Sequence, residues 1–105
     1  METILNDQNF EQEVLKSDKL VLVDFFATWC PPCQAMSPML AKLAEESKDF
    51  LKVCKIDTDQ APQTSMNYGI QSIPAFILFK NGKEVERKVG AMPYPVLVSW
   101  VQGHK

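Results

Sequence analysis

Apolar residues in this chain recur at two spacings, and the switches between them divide it into alternating strands and helices. Leu20–Ala27 is apolar at nearly every position, which predicts a central strand covered on both faces. Leu51–Asp57 predicts a second central strand, and Thr3–Leu5 a short opening one. Between them, Asn6-Asp7 supplies cap chemistry for a helix with Phe10, Val14 and Leu15 on its buried stripe. From Pro32 to about Ser47 the spacing of Met36, Leu40 and Leu43 predicts a longer helix. Pro38 inside it removes one backbone donor and is expected to bend it. Asp59 is placed to cap a short helix from about Pro62 to Tyr68, which Gly69 ends. Asn81-Gly82 tolerates the positive φ of a tight turn and joins strands Ala75–Phe79 and Val85–Val89 as a hairpin. A last helix is expected around Pro95–Gln102. Strand-helix-strand first and an antiparallel hairpin later imply an α/β architecture, a mixed sheet with helices on both faces.

Composition narrows the function. The 105 residues suit one domain, 1–105, with no internal repeat, low-complexity tract or linker. Eleven basic against 13 acidic residues give a net charge of −2, which leaves no electrostatic footprint for nucleic acid or anionic membrane. The longest purely apolar run, Ala75–Phe79, is far short of a membrane span, as is Leu20–Val23. Met1-Glu2-Thr3-Ile4 does not read as a secretory signal, so the expected compartment is the cytoplasm. The four glycines never fall as Gly-x-Gly, so neither a dinucleotide fingerprint nor a phosphate loop is present. Redox chemistry in this chain must therefore draw its electrons from another protein or a thiol.

Cys30-Pro31-Pro32-Cys33 sits where the buried strand hands over to the long helix. Pro32 suits the first helical turn, since the donor it lacks would have no partner there. It also disfavours helical geometry at Pro31, so the helix is expected to begin at Pro32 with Cys30 just outside. Free backbone donors and the positive end of the helix dipole favour a thiolate at that place. Such sites lower a cysteine pKa to roughly 3.5–7.5 from about 8.5. This makes Cys30 the nucleophile and Cys33, deeper and closer to ordinary acidity, the resolving thiol. Zinc is the competing reading, but a closed zinc site needs about four ligands, and only Cys54 and His104 remain to supplement the pair. No metal is expected. A c-type haem needs His after the second cysteine, where Gln34 stands. An inert pair is a third alternative, disfavoured by the electropositive placement.

Phe25-Phe26-Ala27-Thr28-Trp29-Cys30-Pro31-Pro32-Cys33 resembles the active-site segment of the thioredoxin family. Val23-Asp24-Phe25, Lys55-Ile56-Asp57, Tyr68-Gly69-Ile70, Ile73-Pro74, Phe79-Lys80-Asn81-Gly82 and Val89-Gly90-Ala91 match further landmarks in order. The resemblance implies a five-stranded mixed sheet flanked by four helices. It also implies a protein-disulfide reductase with no bound cofactor beyond a redox-active disulfide, Cys30–Cys33. Its partners would be client proteins with disulfides and an NADPH-dependent flavoprotein, thioredoxin reductase, and the chain would act as a monomer. The family usually has Gly at the place of Pro31, and the second proline stiffens the loop.

Asp24 interrupts the apolar strand, and a carboxylate there is costly unless protonated, paired or functional. It reads either as a satisfied polar residue or, as the resemblance implies, as a buried acid/base moving the proton of Cys33, with its pKa raised by burial. Lys55 alone would be a solvated charge; the resemblance makes it the partner that moderates Asp24. Trp29 reads as core packing from its type, whereas in the family it covers the cysteines and shapes the client surface. The Ile73–Pro74 bond would be trans on frequency, but the resemblance implies cis, facing the cysteine pair. Ile73, Pro74 and Ala75 offer backbone that a client strand pairs with, Gly90 permits close approach, and Ala91 continues the rim. Pro31 belongs to the same client surface. Cys54, Met36, Met39 and Met66 read as core filler, and His104 as part of a frayed end. Two other functions compete. A glutathione-linked glutaredoxin also has Pro after its first cysteine, but Trp29, Asp24 and the lack of a basic glutathione clamp oppose it. A non-catalytic binding module has no need of a buried acid.

Overall fold

The computed structural model describes residues 1–105. Five strands, β1 (Thr3–Leu5), β2 (Leu20–Phe26), β3 (Leu51–Asp57), β4 (Ala75–Lys80) and β5 (Lys83–Val89), form one sheet in the order β1-β3-β2-β4-β5. Four helical segments flank it: α1 (Glu11–Leu15), α2 (Pro31–Glu46), α3 (Pro62–Asn67) and α4 (Tyr94–Gln102). β3 pairs in parallel with β1 and β2, while β4 runs antiparallel to both β2 and β5. No helix is long and apolar enough to cross a membrane.

The sheet separates two apolar layers, as the near-continuous apolar strands require. On one face Leu22, Val53, Phe76 and Leu78 pack beneath Met36, Leu40 and Leu43 of α2 and Leu97 and Val101 of α4. On the other, Val23, Phe25, Ile56, Ile77 and Phe79 meet Phe10, Val14 and Ala61. Tyr68 completes this second layer, packing its ring against those of Phe10 and Phe79 with centroids 5.4 and 5.5 Å away. Each fully buried Leu, Ile or Phe contributes about 1.5–3 kcal/mol. Cys54 is a fully buried member of the second layer.

Several local expectations need correction. The first helix is one π-wound segment, with Lys16 N–H donating to Glu11 O at 3.0 Å. The cap chemistry expected of Asn6 closes the turn before it: Asn6 and Asn9 each accept the other's backbone N–H, at 2.8 and 2.7 Å. Asp59 does not cap α3. Asp7 does so from the far side of the sequence, its carboxylate accepting from Gln63 N, Thr64 N and Thr64 Oγ1. Those bonds from Thr64 hold the Asp7 carboxyl below its ordinary pKa. α2 begins at Pro31 rather than Pro32, because both prolines have the φ a first turn needs and neither donor is missed there. The helix continues through Pro38 to Glu46. Met66 is 75 % exposed and is not core. His104 is tied down: its Nε2 and the Trp100 Nε1 both reach Glu86 Oε1, at 2.7 and 2.6 Å.

The hairpin turn is left-handed at both central residues, with φ of 53° at Asn81 and 79° at Gly82. A Cβ on Gly82 would also lie 2.6 Å from the Leu15 carbonyl oxygen. Gly82→Ala is therefore expected to cost at least about 2 kcal/mol, of which the left-handed conformation accounts for about 1–2. Urea unfolding measures this, and an unshifted midpoint would contradict the close packing of the turn on Leu15.

Candidate active site

The site lies where β2 ends. Four residues beyond that strand, Cys30 occupies the N-cap of α2 in extended conformation, and Cys33 stands in the first turn. The two are joined as a disulfide with Cα atoms 5.3 Å apart. Cys33 N–H donates to Cys30 Sγ at 3.3 Å, and Gln34 N–H to the Cys30 carbonyl at 3.1 Å, so the first turn closes around two prolines. Cys30 thus receives the one backbone donor that this helix end offers a sulfur. The expected difference in depth is not found: Cys30 is 4 % and Cys33 5 % exposed. The hydrogen bond, not burial, distinguishes the two sulfurs.

The Ile73–Pro74 peptide bond is cis, and the Ile73 carbonyl oxygen lies 4.0 Å from Cys30 Sγ. Pro74 is buried and its carbonyl accepts from Gly90 N–H at 2.8 Å, so this acceptor serves the fold. Gly90 has φ of 98°, and a Cβ placed on it would meet nothing within 4 Å, so it is the backbone conformation rather than crowding that calls for glycine. Ala91 and Pro31 are exposed, and Ile73 is half-buried against the cluster that holds Cys30 and Cys33.

Trp29 is 66 % exposed, which corrects the core-packing alternative. Its indole Nε1 donates to Asp59 Oδ2 at 2.8 Å, across 30 positions of sequence. Asp59 was legible only as a helix cap, because nothing local announces a partner that far away. Gln34 Nε2 donates to the Thr28 carbonyl at 2.7 Å and braces the loop between β2 and α2.

Asp24 lies on the α2 side of β2 and is 1 % exposed. Neither carboxylate oxygen has a hydrogen-bond partner in the protein. Burial pushes its pKa up to about 7, against the pull of the Lys55 charge and with a smaller push from Glu2. Lys55 is its register partner on β3 and half-buried, and its ammonium donates to Ser37 Oγ at 3.3 Å instead of reaching the carboxylate. Burial therefore outweighs the moderating cation. No group of three or more His, Cys, Asp or Glu side chains is arranged to hold a metal ion.

Comparison with known proteins matches residues 2–103 to the Thioredoxin family. The chain belongs to the thioredoxin family. It is 43 % identical over 100 residues to Thioredoxin 1 of Nostoc sp., covering 95 % of this chain and 94 % of that one. Identity to the thioredoxin of Rickettsia bellii is 40 % over 104 residues, 99 % of each chain. Against the chloroplastic M-type thioredoxin of Chlamydomonas reinhardtii it is 44 % over 98 residues, 93 % of this chain and 70 % of that one. The family chemistry is dithiol–disulfide exchange, and here the Cys30–Cys33 disulfide carries it in a thiol–disulfide oxidoreductase. Disulfide-bearing clients and a thioredoxin reductase are the kinds of partner this family implies.

Two measurements follow. Because the folded state holds the Asp24 proton more tightly than the unfolded chain, stability is fully present below pH 3.8 and falls as pH rises through about 7. Asn carries no charge to bury, and a tenfold change in proton affinity corresponds to about 1.4 kcal/mol. Asp24→Asn is therefore expected to be more stable at pH 8 by about 2–4 kcal/mol, with the gain shrinking toward pH 4 in urea unfolding. Equal stability of the two proteins at pH 8 would show a well-solvated Asp24. Cys54→Ala, in contrast, should cost under about 1.5 kcal/mol and keep turnover within about twofold, since it removes one small buried group. A tenfold loss of turnover in a folded Cys54→Ala protein would give that thiol a chemical role.

Proposed function

We propose that the chain, as one domain, reduces disulfides in client proteins, with Cys30 as nucleophile and Cys33 as resolving thiol. The observation that carries this assignment is the hydrogen bond from Cys33 N–H to Cys30 Sγ at the N-terminus of α2, which favours negative charge on Cys30. In the dithiol form, the Cys30 thiolate attacks one client sulfur; the client S–S bond breaks and its other sulfur leaves as thiolate. The Cys33 thiolate then attacks Cys30 Sγ, forms the Cys30–Cys33 bond and expels the second client sulfur. Two electrons pass to the client, and two protons complete its thiols.

Asp24 takes the proton of Cys33 before that second step, for which a pKa of about 7 is suited near neutral pH. Lys55 limits how far that affinity rises. Trp29, Pro31, Ile73, Pro74, Gly90 and Ala91 form the client surface around the disulfide. No bound cofactor or metal takes part; an NADPH-dependent flavoprotein, thioredoxin reductase, returns the electrons. The protein acts as a monomer in the cytoplasm, where a reducing pool keeps the pair available as thiols.

Cys33→Ser should trap a covalent adduct through Cys30 when mixed with an oxidised client, because attack remains and resolution is lost. Mass spectrometry of the digested adduct identifies the sulfur. Adducts that form through Cys33 in Cys30→Ser, and not in the reciprocal variant, would reverse the roles. Insulin reduction supported by NADPH and thioredoxin reductase, beside a glutathione-fed assay, tests the reductase reading against the glutaredoxin one.

A further inference from the structure

Cys33 and Ser37 stand one helical turn apart on α2, so they share the face that looks toward the sheet. A cavity of about 240 Å³ opens there, and Cys33, Ser37, Gln34, Thr28 and Lys55 contribute to its wall. Lys55 enters it from β3 with its ammonium 3.3 Å from Ser37 Oγ and 4.8 Å from the centre of the Phe26 ring. Beside it, in register on β2, lies a carboxylate without any partner. A buried carboxylate attracts an ammonium more strongly than a hydroxyl does. The Ser37 hydroxyl on the helix side is nonetheless the acceptor that the Lys55 ammonium meets.

We propose that Ser37 is a positioning residue: its hydroxyl holds the Lys55 ammonium at the wall of the Cys33 cavity and keeps it from closing on Asp24. Two consequences follow for the exchange reaction. The carboxylate stays unpaired and keeps its affinity for a proton. The cation stands on the cavity that Cys33 faces, where negative charge develops when that thiol ionises. Of the other ionisable groups on this side of the sheet, Cys33 on α2 lines the same cavity, Glu2 stands just before β1, Asp57 further along β3 accepts from Asp59 N–H, and Glu86 and Lys88 on β5 are engaged with the Trp100 ring. The Lys55 ammonium donates to none of them, and Ser37 Oγ is its acceptor. The contact of Ser37 with Lys55 joins a helix to a strand 18 positions away, and only the structure shows it.

The inference rests on Asp24 serving as proton acceptor, and the test separates the two. Ser37→Ala, Ser37→Thr, Lys55→Met and the Ser37→Ala/Lys55→Met double variant are compared in the full chain. The Asp24 carboxyl is titrated by carbon-13 NMR, and the pH profile of insulin reduction is recorded in parallel. Serine to alanine raises helix propensity, so the helix itself is not put at risk. In Ser37→Ala the released ammonium is expected to close on Asp24 and lower its titration midpoint by about one pH unit, the ordinary effect of a cation in contact. Ser37→Thr should restore the midpoint, and the double variant should show no further change from Lys55→Met alone. An unchanged or raised midpoint in Ser37→Ala, or the same fall without Lys55, overturns the proposal. A lowered midpoint with an unmoved activity profile would uphold the positioning role and remove Asp24 from catalysis.

Discussion

Everything at the site descends from the confinement of β2. The strand is paired on both edges, by β3 and β4, and covered on both faces by apolar layers. A strand held in that way cannot shift register without turning its buried side chains the wrong way round. It therefore delivers Cys30 to one place at the end of the sheet, against the Ile73–Pro74 loop, and sets Asp24 where no neighbour satisfies its carboxylate. The same confinement that makes the fold stable makes this one residue costly. The cost is what gives the carboxyl an affinity for protons near neutrality.

Local chemistry made most of the architecture readable. Continuous apolar runs mark strands buried on both faces, and Asn81-Gly82 marks its turn because only a few residue types accept left-handed backbone. Cys30 at the helix N-cap was readable for the same reason: the helix start and the Cys-x-x-Cys spacing overlap within four residues. Asp24 was conspicuous as a charge in an apolar strand. What escaped was non-local. Asp59 has the composition of a cap, yet Asp7 reaches α3 first and Asp59 is left to the Trp29 indole. His104 looked like a loose end because Glu86, its anchor, comes from a strand distant in sequence. Met66 looked like core because hydrophobicity says nothing about which side of a short helix faces inward.

The ionic arrangement beneath α2 shows how little contact is needed for tuning. Asp24, Lys55 and Ser37 come from two strands and a helix, and the only hydrogen bond among them joins the lysine to the serine. Lys55 acts on the carboxyl by charge alone, which falls off gradually with distance, while burial acts through the loss of solvent. Small displacements of the lysine therefore change the acid without breaking any bond of the fold.

The capping of α3 by Asp7 ties the first turn of the chain to the segment that leads into the Ile73–Pro74 loop. A six-residue helix is too short to hold its form alone and takes its anchor from outside. Shortening the protein at its amino end is consequently an alteration of the support behind the loop that stands against Cys30. The residues before the first helix thus fasten, from a distance, the stretch of chain that ends beside the disulfide.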